Sequence, residues 1–129
     1  MNTKAIGKKQ WVIPGGNVPV NSTGREPDFT SHDKLSILNA GPNNAIIKLT
    51  IYFAGNAPYG PYEIELKAKR VKKVRFNDLI DPLAIPLGEP YACLVEASEP
   101  VVVQFTRQDT SQPENAGCTT MAFAVTDPE

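Results

Sequence analysis

The chain has little of what metal, thiol or nucleophilic chemistry requires. Its 129 residues hold one histidine and two cysteines. Cys93 and Cys118 lie far apart with no CxxC spacing, so one histidine and two distant thiols do not build a zinc site. Ser31, His32 and Asp33 carry the letters of a catalytic triad, but neighbours in an extended chain point to opposite sides and do not converge. Pro14, Gly15, Gly16 and Asn17 make a turn without the GK[ST] ending of a phosphate loop. These shortages set an enzyme aside, and no cofactor or metal is expected.

Long apolar runs are missing too. The longest candidate, AIIKLTIYFA at 45–54, carries Lys48 and falls well short of the ~20 apolar residues of a membrane-spanning helix. The opening MNTKAIGKKQWVIPGG has basic residues but no apolar core of a secretory signal. The expectation is a cytoplasmic protein with no membrane insertion and both cysteines reduced and buried. In that setting the acceptor pattern Asn21-Ser22-Thr23 has no use. No excess of one charge sign exists either, the net charge being −1.

Proline, by contrast, is abundant, with 12 residues spread along the chain. Proline lacks an amide donor and breaks helix interiors, so this distribution favours short strands joined by loops. Strand-like runs follow: QWVI (10–13), KLSILNA (34–40), AIIKLTIYF (45–53), YEIEL (62–66), VKKVRFN (71–77), YACLVEAS (91–98), VVVQFTR (101–107) and TTMAFAV (119–125). In the third, Ile47, Leu49, Ile51 and Phe53 share one face, while Lys48, Thr50 and Tyr52 share the other. That period of two marks a half-buried strand. The segment 63–76 also fits a helix, through Glu63–Lys67 and Glu65–Lys69 pairs. A tight turn near Ala68–Arg70 makes it a hairpin instead, which is the favoured reading. The prediction is one domain over 1–129, an all-β, antiparallel β-sandwich of about eight strands.

Lys67, Lys69, Arg70, Lys72, Lys73 and Arg75 concentrate six of the 13 basic residues. Such a cluster can bind nucleic-acid phosphates, the alternative function for this chain. Aromatic residues for base stacking are nearly absent from it, and lysines on a hairpin edge also prevent unwanted strand pairing. The solvated edge is the better reading.

Polar candidates for a ligand site are Trp11, His32, Asn39, Arg75, Asn77, Asp78, Gln104 and Arg107. Planar donors and acceptors beside an aromatic group are what a sugar-type ligand needs. From the residues alone, ordinary ion pairs such as Arg75–Asp78 and Arg107–Asp109 explain the pattern more simply.

Four stretches carry a resemblance: SHDKLSILNAG, TIYFAGNAPYGPY, KKVRFNDLIDPLAIP and VVVQFTRQDTSQPENA. In colinear order, over about 11–126, the chain resembles the sensory rhodopsin transducers, named for a soluble partner of a cyanobacterial retinal photoreceptor. The resemblance implies a β-sandwich without catalytic activity that assembles as a homotetramer. It also implies a signalling or binding module for a small, sugar-like molecule, with a membrane photoreceptor or another signalling protein as partner. The matching positions for a ligand site are His32, Arg75, Asn77, Asp78, Gln104 and Arg107. Lys73 and Phe105 stand where the resemblance places histidines in the cyanobacterial member, a departure that weighs against a rhodopsin-coupled or pH-linked role.

YACLVEASEPVVVQFTR supplies a separate expectation. Apolar residues fall on both sides of this region, whereas a strand exposed on one side alternates apolar with polar. A subunit contact is the natural second cover.

Overall fold

The computed structural model describes residues 5–16, 32–76, 79, 85, 89–109, 116–121 and 123–125, with only the backbone described at 16, 32, 107–109, 116–121 and 123. Among these residues eight strands form and the ladders are antiparallel. They are β1 (Lys8–Gly16), β2 (His32–Asn39), β3 (Ala45–Phe53), β4 (Tyr59–Leu66), β5 (Arg70–Arg75), β6 (Tyr91–Asp109), β7 (Ala116–Met121) and β8 (Phe123–Ala124). The all-β expectation holds.

Alternation decides the layers. On β3 the residues Ile47, Leu49 and Ile51 are fully buried while Ile46 and Lys48 are exposed. Fully burying such an aliphatic side chain contributes about 1.5–3 kcal/mol, enough to fix which face turns inward. The 63–76 ambiguity resolves as a hairpin, with Tyr62, Leu66 and Val74 inward and Lys69 in the left-handed region at φ 56°. One turn residue with positive φ lets the chain reverse where a helix would have continued.

The runs 91–98 and 101–107, read from sequence as two strands, are one 19-residue strand, β6. Its first half pairs with β1 and β3, its second half with β2 and β7. The partner of β1 jumps from Glu96, opposite Gln10, to Val101, opposite Lys8. The strand therefore turns from one sheet into the other around 97–100. Pro100 sits there, where a missing amide costs no ladder bond, and the Ser98 hydroxyl accepts the Ile46 amide at 2.9 Å. One sheet runs β4-β3-β6-β1-β8, and the other contains β5, β2, the second half of β6 and β7. Alternation alone cannot distinguish one bent strand from two strands, because both have the same period.

Between the sheets lies the core. Phe76 packs on Tyr91 and Phe105 with ring centroids 5.2 and 6.2 Å away. Trp11 and Asn39, candidates for ligand contact from sequence, are structural. The Trp11 indole is buried and donates to the Val101 carbonyl at 3.0 Å. Asn39 donates to the carbonyls of Asn43 at 2.8 Å and Leu66 at 3.2 Å, and accepts the Gly41 amide at 3.1 Å. It ties the start of β3 and the end of β4 to the end of β2.

Candidate functional site

Two of the sequence-predicted site residues, Arg75 and Gln104, stand on the outward face of β5, β2 and the second half of β6. Leu35 and Ile37 on β2, Val74 on β5, and Val103 and Phe105 on β6 are buried. Strand alternation then turns the intervening residues outward. The register sets them in three rows: Arg75–Lys34–Thr106, Lys73–Ser36–Gln104 and Val71–Leu38–Val102. Directly paired side chains lie within about 5.5 Å of each other, and adjacent strands about 4.8 Å apart.

The chemistry of this grid is graded along the strands. Val71 and Leu38 are 60% and 37% exposed, an unusually apolar end for an open face. The opposite end holds the cations Lys34, Lys73 and Arg75 among the hydroxyls of Ser36 and Thr106 and the amide of Gln104. None of the nine residues is acidic. Arg75 is half-buried and Gln104 exposed. They share the face with β2 between them, about 10 Å apart across the strands. A small polar molecule of roughly disaccharide size spans that gap, and the three cations of the rows favour negative charge on it, with Glu63 and Glu65 of β4 in the cleft beside Lys73 and Arg75.

The other predicted positions divide. Arg107 is registered with the buried Asp33 and not with a residue of the outward rows. It is therefore out of phase with Gln104. His32 is registered with Gln108, and the side chains of His32 and Arg107 lie outside the described residues, as do Asn77 and Asp78 entirely. Lys34, Ser36, Lys73 and Thr106 were not singled out as site residues from sequence. Only the cross-strand register, which brings together residues tens of positions apart, reveals them.

Asp33, inside the sandwich, accepts the Tyr91 hydroxyl at 2.7 Å. A buried carboxylate held this way is a structural tie between β2 and β6. Cys93 is free and buried, and burial pushes its thiol well above the ordinary range. Such a thiol is a poor nucleophile, so Cys93 belongs to the core. Cys118 falls outside the described side chains.

Comparison with known proteins agrees with the motif resemblance. The family description "Anabaena sensory rhodopsin transducer" matches residues 6–124. The chain belongs to the sensory rhodopsin transducer family. A solved structure of the Anabaena sensory rhodopsin transducer is 42% identical, with a TM-score of 0.72 over 78% of this chain and 97% of that one. A crystal structure of the Thermotoga maritima protein 1070 is 29% identical, with a TM-score of 0.80 over 92% of this chain and 96% of that one. No curated protein matches. As a transducer-family member the chain has a signalling-type fold, and among its described residues no helix is long and apolar enough to cross a membrane.

Proposed function

We propose that this transducer-family protein is a non-enzymatic cytoplasmic binding and signalling module whose ligand is a small, sugar-like molecule carrying negative charge. The single observation behind this reading is the cationic end of the outward rows. There Lys34, Lys73 and Arg75 stand beside the donors and acceptors of Ser36, Gln104 and Thr106. Cations match a phosphate or carboxylate, and the amide and hydroxyls match sugar hydroxyls.

A thermal-shift series with neutral sugars, sugar acids, sugar phosphates and nucleotides tests it. A ligand that binds only the folded state raises the melting temperature. At a ligand concentration about 100 times its Kd the stabilisation is about 2.7 kcal/mol. The gain should disappear in Lys73→Glu, whose side chain is exposed and whose fold should survive. Stabilisation by neutral sugars alone, unchanged in Lys73→Glu, would remove this face from the reading.

The homotetramer has its own support in the exposed neighbours Val71 and Leu38, since apolar patches on a free surface commonly mark contacts. Light scattering at low micromolar concentration decides it. A mass near one 14.0 kDa chain sinks the tetramer.

A further inference from the structure

We infer that β5 is a docking edge for an acidic, extended segment of another protein, which adds to the sheet as a further strand. The proposal does not rest on the small-molecule reading. Among the described residues β5 pairs only with β2, and β4 only with β3. Each therefore presents one unpaired edge, and an unpaired edge is a template for another chain.

The two edges face each other across a seam between the sheets. A cleft of about 300 Å³ opens there, lined by Glu63, Glu65, Lys72, Lys73, Arg75 and Leu79. Across it the Lys72 ammonium reaches the Glu65 carbonyl at 3.5 Å. That contact is exposed, long and made by a flexible side chain. An incoming strand can displace it at little cost.

Charge selects the occupant. β5 reads RVKKVR, four cations and no acid in six residues. A second copy of β5 laid antiparallel on this edge would set Arg70, Lys72, Lys73 and Arg75 against the same four charges. Like charges directly opposite are destabilising in a sheet, so self-pairing is opposed. A strand bearing carboxylates gains against β5 what the second copy loses; of the two glutamates on the facing edge Glu63 is already paired with Lys48 at 3.7 Å, so Lys72, Lys73 and Arg75 still dominate the cleft. The same lysines thus repel a copy and select an acidic partner. Nucleic acid is the weaker fit, because no aromatic side chain of the strand is available for stacking.

The test uses the full chain and a fluorescein-labelled short peptide alternating glutamate with valine, read by fluorescence anisotropy. A second peptide of the same sequence is N-methylated at alternate amides, which keeps its charge but removes its ladder donors. The expected result is binding that weakens at least about tenfold with the methylated peptide and with Lys72→Glu plus Lys73→Glu. Hydrogen exchange at the amides of Arg70–Arg75 should slow on binding of the unmodified peptide. A thermal melt of the double variant confirms its fold, since both side chains are exposed. Equal binding of the methylated peptide would reduce the edge to a non-specific basic patch. Absence of peptide binding, or binding of duplex DNA in its place, would overturn the proposal.

Discussion

Replacing Asn39 tests how the corner of the sandwich is held. The side chain is completely buried and joins three segments: its amide donates to the carbonyls of Asn43 and Leu66, and its oxygen accepts the Gly41 amide. Leucine at this position has similar volume and keeps the site filled, but removes these bonds and the longer one to the Lys67 carbonyl at 3.4 Å. A protein hydrogen bond contributes about 1 kcal/mol net, and a buried group left without its partner costs about 1–3 kcal/mol. Gly41 is itself buried, so its orphaned amide falls under the second figure. Asn39→Leu should therefore lose about 3 kcal/mol. With an unfolding entropy of about 2.1 cal/mol/K per residue over 129 residues, that corresponds to a fall in Tm of about 10 °C. Urea unfolding, with the slope unchanged, measures it directly. Asn39→Asp keeps the acceptor for Gly41 but turns a carboxylate toward two carbonyls. It should be worse than leucine at neutral pH and recover as the pH falls, because the protonated carboxyl donates again and its folded pKa is raised. A leucine variant within about 1 kcal/mol of the parent, or an aspartate variant equal to it, would refute the reasoning.

Tyr91→Phe removes the hydroxyl from Asp33 and should cost about 1–3 kcal/mol by denaturant unfolding, because the carboxylate stays buried. Cys93 should resist thiol reagents in the native protein and react once unfolded, a contrast seen by timed labelling with and without urea. Because burial raises its folded pKa, its contribution to stability is complete below the ordinary thiol range of about 8.5 and falls as pH rises above it. Cys93→Ala should flatten that alkaline decline. Gly7→Ala should be destabilised by at least about 2 kcal/mol: Gly7 has φ +100° and an added Cβ would fall on the Val101 carbonyl. Calorimetry reads it as a lower Tm.

Strand faces were legible where apolar and polar residues alternate without interruption. Ile47, Leu49 and Ile51 are the clearest case, and the 62–66 and 73–76 runs follow the same rule. The hairpin was legible from turn chemistry, although its i,i+4 charge pairs fitted a helix equally well. Burial of Val74 and Phe76, a tertiary fact, chose between them. Less of the candidate site was legible. Arg75 and Gln104 do share a face, but the neighbours that give that face its character, Lys34, Ser36 and Thr106, come from strands whose pairing no local pattern reveals. Arg107 stands three residues from Gln104 on β6, an odd spacing that alternation alone puts out of phase. Trp11 and Asn39 looked like ligand contacts because polar side chains that cap buried backbone groups have the same composition as side chains that meet a ligand.

The shared strand β6 also sets the order in which the chain can become satisfied during synthesis. β3 and β4 are neighbours in sequence and can pair as soon as both have emerged, and β2 can then take β5. β1 has no such option. Its ladder partners among the described residues are β6 and β8, both more than half the chain away. At a synthesis rate of about 5–20 residues per second, Trp11 and Ile13 wait several seconds for their cover. Non-local pairing of this kind is slow and leaves apolar surface available to other nascent chains. A ribosome stalled before Tyr91 therefore carries an N-terminal strand with nothing to close on, and chains released there should be the ones that chaperones retain.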